Sequence, residues 1–177
     1  MKWFKIFDMI RCFFEKKSDR CDGCRLDKAA KTLPYGIKEN AEALMNDVLE
    51  PVREAYGKPI MIVHGFCCPV RLRVMGECVQ SPLARGEAAD ISVVPQPGMT
   101  EKDVALENLE LAKAVIKVRR FDVMVLGDVP EDSVEPMWIK VAYKRKGGNL
   151  GMVLKKVRGK GEYENLSRMD LMQLVSD

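Results

Sequence analysis

Residues 33–59 read LPYGIKENAEALMNDVLEPVREAYGKP, and this stretch decides the class of fold. Its apolar side chains recur every three or four positions, which is the spacing of one face of an α-helix: Ile37, Ala41, Leu44, Met45, Val48, Leu49, Val52 and Tyr56. Gly57 and Pro59 end the pattern, and Pro51 is expected to kink the helix near its last turn. The stretch therefore predicts one amphipathic helix.

The residues that follow alternate between strand and helix patterns. KPIMIVHGF (58–66) and AADISVV (88–94) predict strands, and Thr100 predicts the N-cap of a helix that runs to about residue 119. The apolar face of that helix is expected to comprise Val104, Leu106, Leu109, Ala112, Val115 and Ile116. Further strands are predicted at 121–126, 138–143 and 152–157, the last two paired across a glycine turn, with a short helix from Asn165. Helices mixed with short, mostly antiparallel strands predict an α+β fold.

Length and composition limit the functions that the chain can have. Its 177 residues are 47% hydrophobic and carry a net charge of +3, which fits one globular domain and gives no reason to expect specific nucleic-acid binding. No apolar run approaches the roughly 20 residues that span a bilayer. The single histidine, His64, excludes any site that needs two histidines.

The first seventeen residues predict an amphipathic helix with a basic flank. Apolar side chains lie at helical spacing, while charged residues interrupt any signal-peptide core: the apolar set is Trp3, Ile6, Phe7, Ile10, Phe13 and Phe14. This helix either lies on a membrane, docks a protein partner, or covers the domain's own core. We expect a helix and linker over 1–25, the main domain over 26–160 and a helical tail over 161–177.

Two further features leave alternatives open. Eight basic residues and no acidic one lie between 138 and 160, which predicts either a surface for anionic partners or a solvated hairpin: Lys140, Lys144, Arg145, Lys146, Lys155, Lys156, Arg158 and Lys160.

Cys21 and Cys24 form a C-x-x-C pair without a second pair at zinc-finger spacing. They are either free thiols, a metal site, or part of a disulfide.

Three segments together resemble a known family: LPYGIKENAEALMNDVLEPVREAYGKP (33–59), GEAADI (86–91) and WIKVAY (138–143). They are similar in order and spacing to the zinc D-Ala-D-Ala carboxypeptidases of the Hedgehog/DD-peptidase fold, and more narrowly to small members carried by phages and gut bacteria. The resemblance covers about residues 26–157. It implies a small, mostly antiparallel sheet packed against helices.

The same resemblance implies a degenerate metal site. The family motif S-x-H-x-x-G-x-A-x-D corresponds to SPLARGEAAD (81–90), so Asp90 is the one surviving ligand and Leu83 stands at a histidine position. Lys140 stands at the histidine position of W-x-H, after Trp138. Met137 replaces the acidic general base, which leaves Glu135 as the nearest candidate. Cys67 replaces the substrate-binding arginine.

These replacements predict a site without zinc, because leucine has no lone pair and a protonated lysine repels a dication. We expect the Lys140 ammonium to form an ion pair with Asp90, and Leu83 to fill the space of the lost imidazole. His64 either forms local hydrogen bonds or binds a relocated metal with nearby cysteines. The residues expected to line the cleft are His64, Cys67, Ser81, Asp90, Trp138 and Lys140.

The resemblance therefore implies a catalytically inactive relative, a pseudoenzyme without a cofactor. It would act as a binding or structural module for a peptidoglycan stem peptide, or for a virion or membrane partner reached through residues 1–17. One alternative is an active cell-wall metallopeptidase whose zinc has relocated ligands, and another is a basic surface-binding module. We expect a cytoplasmic or virion-associated protein, with peripheral membrane attachment as a further option.

Overall fold

The computed structural model describes residues 2–9 and 36–166 together with Asp170, Leu174 and Val175. The helices are α1 (Ile37–Leu44), α2 (Glu50–Tyr56), α3 (Pro69–Val74) and α4 (Glu101–Val118). The strands are β1 (Ile60–His64), β2 (Ala88–Val93), β3 (Val123–Val129), β4 (Trp138–Ala142), β5 (Met152–Val157) and β6 (Glu164–Asn165). Helices and one mixed sheet form an α+β fold, which confirms the predicted class.

The six strands form one sheet in the order β1-β2-β4-β3-β5-β6. Neighbouring strands are antiparallel except β3 and β5, which run parallel. The predicted hairpin between β4 and β5 is wrong, because β2 and β3 already occupy both edges of β4. The chain after β4 therefore crosses β3 and adds β5 to its far edge. β6 also corrects the predicted start of the tail helix, since Asn165 lies in a strand.

The helical stretch from Ile37 to Tyr56 contains an irregular centre. A π-helical segment, Met45–Leu49, separates α1 from α2, and the Glu50 amide donates to the Met45 carbonyl, five residues back. Pro51 follows directly and has no amide hydrogen to donate, so the irregularity lies where the regular hydrogen-bond pattern fails. Gly57 ends α2 in the left-handed conformation, with φ of 78°.

The apolar core lies on one face of the sheet. Ile91, Met124 and Ile139 are fully buried there, against apolar side chains of α1, α2 and α4. The predicted capping of α4 is present, because the Thr100 hydroxyl accepts from the Asp103 amide and the Asp103 carboxylate accepts from Thr100. The predicted apolar face of α4 is wrong at Leu106, which is 41% exposed.

The N-terminal segment contributes to this core in a different way from the prediction. Within residues 2–9 only the 3₁₀ turn Ile6–Met9 is helical, and the rest of the predicted helix lies outside the described residues. Phe4 and Met9 are buried in the core, whereas Trp3 is 46% exposed. Residues 2–9 therefore cover the domain's own core. In the described part of the chain, no helix is both long and apolar enough to cross a membrane.

Candidate functional site

Three polar residues lie in one row across the sheet, on the face opposite the core. His64 of β1 is paired with Asp90 of β2, and Asp90 is paired with Lys140 of β4. The β1–β2 register shifts between Ile62 and His64, which places His64 rather than Val63 opposite Asp90. Side chains directly opposite each other on neighbouring strands point to the same face, so these pairings bring the trio together. Three stretches that are distant in sequence thus meet at one place.

Asp90 forms the centre of the row and is only 4% exposed. Its Oδ2 lies 3.2 Å from His64 Nδ1, and the Arg71 guanidinium lies 3.3 Å from His64 Nε2. Because the guanidinium can only donate, Nε2 is the acceptor and the ring donates to Asp90 through Nδ1. His64 is thus engaged in local hydrogen bonds. Asp90 Oδ1 accepts no hydrogen bond from the described residues.

Lys140 fills the space beside Asp90, and the expected ion pair is present with 3.9 Å between Lys140 Nζ and Asp90 Oδ1. A shorter ion pair, 3.1 Å, joins Lys140 Nζ to Glu77 Oε2. Burial disfavours the charged lysine, but the nearby Asp90, Tyr163 and Glu77 outweigh this and raise the pKa of Lys140. The ammonium is therefore held between two nearly buried carboxylates.

Glu77 is the site residue that the sequence did not indicate. It lies in the turn after α3, and its side chain is 11% exposed. Its second oxygen lies 3.6 Å from Lys156 Nζ, and the Tyr163 hydroxyl lies 3.4 Å from both oxygens. No periodicity or motif distinguishes this glutamate from surface glutamates, because its partners belong to β4, β5 and the segment before β6.

Two residues of the motif SPLARGEAAD (81–90), Leu83 and Ser81, have structural roles. Leu83 is fully buried in a small cluster with Leu72, Ala88 and Ala142, and it lies in a 3₁₀ helix, Pro82–Arg85. The Ser81 hydroxyl caps this helix by accepting from the Leu83 amide at 3.4 Å. Leu83 thus occupies an apolar environment, as its side chain requires.

Cys67 belongs to the same apolar cluster, and its amide donates to the Leu83 carbonyl at 3.1 Å. Burial, with a further contribution from the Asp90 carboxylate, raises the pKa of its thiol to about 12. The thiolate is the form that attacks substrates and binds metals, so this environment suppresses both roles at neutral pH. Cys68 is partly buried, whereas Cys78 is exposed, and Cys67 and Cys78 are free cysteines.

Trp138 lies on the same face as Lys140, two residues along β4. Its ring crosses Gly127 of β3 so closely that a Cβ there would overlap the indole. Lys140 Nζ lies 5.8 Å from the ring centroid. Glu135, the candidate acid, directs its amide to the Ser133 hydroxyl at 3.0 Å. Among the described residues, no hydrogen bond or ion pair joins Glu135 to Asp90 or Lys140.

The donor atoms at this site do not fit zinc. A catalytic zinc needs about three protein donors and one open position for water. The position beside Asp90 holds the Lys140 ammonium group, and the described residues contain no group of three His, Cys, Asp or Glu arranged to hold a metal. Cys21 and Cys24 lie outside the described residues.

The basic stretch between 138 and 160 is largely neutralised by carboxylates. Ion pairs engage six of its eight cations: Lys140 with Glu77 and Asp90, Lys144 with Asp122, Lys155 with Asp170, Lys156 with Glu77, Arg158 with Asp128, and Lys160 with Glu131 and Glu164. The stretch therefore forms neither a continuous cationic surface nor a simple solvated hairpin, since Lys140 and Lys155 are buried.

A comparison with protein families identifies one match. The family model described as Peptidase M15 matches residues 21–120, which is more than half of the chain and includes His64, Leu83 and Asp90. Lys140 and Trp138 lie beyond the matched segment. No curated protein and no solved structure matches this sequence.

Proposed function

Because this chain belongs to the peptidase M15 family, we propose that it is a non-catalytic relative of the zinc peptidases. It keeps their fold as a binding module, and its ligand is a peptidoglycan stem peptide. The family supports the type of ligand, and the side chains beside Asp90 support the loss of catalysis.

One observation carries this proposal: the Lys140 ammonium lies between Asp90 and Glu77. A zinc ion accepts lone pairs, lowers the pKa of its bound water to about 7 and so supplies a nucleophile at neutral pH. An ammonium group donates hydrogen bonds but cannot accept a lone pair, so it balances the charge of the carboxylates without activating water. The site is thus occupied by the chain's own cation.

The first experiment measures metal content and peptide cleavage on the same purified preparation. We expect less than stoichiometric zinc by elemental analysis and no release of D-alanine from a peptide ending in D-Ala-D-Ala. We expect the same protein to be retained on insoluble peptidoglycan. Stoichiometric zinc that is lost in Asp90→Ala would overturn the proposal, and so would absence of retention on peptidoglycan.

A second candidate function is an active metallopeptidase whose ligands have moved. His64 and Asp90 lie side by side, with 3.2 Å between Nδ1 and Oδ2, and both residue types bind zinc. A metal there would require Lys140 to leave its position. This candidate predicts that added zinc restores D-alanine release in the native chain and that His64→Ala abolishes it.

A further inference from the structure

A cavity of about 420 Å³ opens beside Lys140 on the polar face of the sheet. Its floor is apolar and comes from three neighbouring strands: Val123 and Val125 of β3, Ala142 of β4, and Leu154 of β5. The register pairs Val123 with Ala142, and Val125 with both Lys140 and Leu154, so these side chains share one face. This volume and this apolar floor are typical of a small-molecule pocket.

The three charged residues that line the cavity are already paired within the protein. Glu77 lies 3.1 Å from Lys140, and Asp122 Oδ2 lies 2.8 Å from Lys144 Nζ. The other oxygen of Asp122 accepts from the Leu150 amide at 3.2 Å. A charged ligand would therefore lose its hydration without gaining an unpaired counter-charge.

Tyr163 lines the cavity together with Cys78 and residues 80–82, and it is 43% exposed. Its hydroxyl is directed to Glu77, and Lys156 Nζ lies 5.6 Å from its ring centroid. These contacts fix the phenol ring at the border of the cavity. An aromatic ring in this position offers a flat apolar surface to a group that enters the cavity.

We propose that this cavity binds an uncharged aromatic ring system. The pocket selects by shape and apolar contact, and it disfavours a free carboxylate or sulfonate. The inference does not rest on the proposed function, since it concerns the floor of β3, β4 and β5 and holds whether or not a metal binds beside Asp90.

The test uses two fluorescent probes that share one skeleton and differ in charge. N-phenyl-1-naphthylamine is uncharged, and 1-anilinonaphthalene-8-sulfonate carries a sulfonate. We expect one molecule of the uncharged probe per chain, with the sulfonate binding about tenfold or more weakly. Binding is measured by calorimetry as well as fluorescence, so that changes in quantum yield do not mimic affinity.

Two tryptophan variants locate the probe. Leu154→Trp fills part of the cavity and is expected to weaken binding of the uncharged probe about tenfold. Leu106→Trp is the control, because it adds the same side chain on the exposed face of α4. Circular dichroism and unfolding midpoints establish that both variants fold. Equal affinity of Leu154→Trp and the native chain would overturn the proposal. Equal or tighter binding of the sulfonate would overturn the selectivity.

Discussion

The two faces of the sheet are equally buried near β2 but are held together by different interactions. Every residue of β2 is buried, yet Ile91 enters the apolar core while Asp90 faces His64 and Lys140. On the core side, stabilisation depends on apolar area and tight packing, which many side chains can supply. On the polar side it depends on a few charges whose partners are fixed. The loss of one charge there leaves others unpaired.

Lys140 and Ile139 are neighbours on β4 that point to opposite faces, so a pair of variants compares the two directly. Lys140→Met keeps the length of the side chain but leaves Asp90 and Glu77 without their cation. We expect a loss of about 3–5 kcal/mol in the free energy of unfolding, measured by urea denaturation at pH 7. Ile139→Ala is expected to lose about 2–5 kcal/mol through the cavity it leaves.

The losses of unfolding free energy in Lys140→Met and Ile139→Ala are similar in size, but they should differ in how they depend on pH. The pKa of Lys140 is raised in the folded chain, so its stabilisation is fully present at neutral pH and is lost as the ammonium deprotonates above the ordinary lysine pKa of 10.5. The deficit of Lys140→Met relative to the native chain should therefore shrink as the pH rises above that value. The deficit of Ile139→Ala should stay constant. Lys156→Met is the matched control, because Lys156 is partly exposed and its removal should change stability by about 1 kcal/mol or less. A loss below that value for Lys140→Met would mean that the buried pairs do not hold this face together.

Gly127 tests the packing on the polar face without changing charge. A Cβ at Gly127 would overlap the Trp138 indole, so Gly127→Ala must displace the ring or the strand. We expect a loss of about 1–3 kcal/mol, with a shifted tryptophan emission maximum. Gly148→Ala is the control, because nothing lies within 4 Å of a Cβ there. Equal stability of the two variants would show that β3 adjusts to the added methyl group.

The sequence predicted the core side of the molecule better than the polar side. Helical and strand periodicities report burial against a core, and they located α1, α2, α4, β1 and β2 because local spacing carries that information. The pairing of β5 with β3 was missed, since a glycine turn indicates a local hairpin but cannot show that both edges of β4 are occupied. Leu106 was misplaced because helical spacing alone does not show how wide the buried face is.

The candidate site was predicted only where a motif could be compared. The resemblance located Asp90, Leu83 and Lys140, and Lys140 forms the expected ion pair with Asp90. Glu77 was missed because a glutamate in a turn carries no local sign of burial, and its partners are contributed by distant strands. His64 was left open between hydrogen bonding and metal binding, since that choice depends on Arg71 and Asp90, which only the tertiary structure brings to it.

The Cys67 thiol is expected to make the free energy of unfolding depend on pH in the alkaline range. The pKa of its thiol is raised from 9.0 to about 12 in the folded chain, so the folded state keeps a proton that the unfolded state releases above pH 9. The free energy of unfolding should therefore fall as the pH rises between about 9 and 12, by at most about 1.4 kcal/mol per pH unit from this group. Urea denaturation at pH 8 and pH 10.5 measures the slope.

Two cysteine variants show how much of the alkaline slope in the free energy of unfolding comes from Cys67. Cys67→Ala should reduce the slope, and the remainder comes from tyrosines whose pKa is also raised in the folded chain. Cys78→Ala should leave the slope unchanged because Cys78 is exposed. In the native chain a thiol reagent should react with Cys78 faster than with Cys67 at pH 8. Rapid modification of Cys67 under native conditions would contradict its burial.

The smallest expected effect lies at the start of α4, on the core side. Thr100→Ala removes the hydroxyl that accepts from the Asp103 amide and leaves that donor to water, so we expect a loss of about 1 kcal/mol. Thr100→Ser keeps the hydroxyl and should restore most of it. Many apolar contacts hold α4 to the sheet, so this loss should be the same at pH 6 and pH 8. It should also be the same in the Lys140→Met background, because Thr100 and Lys140 share no partner. A loss that depends on Lys140 would show that the two faces of the sheet are energetically coupled.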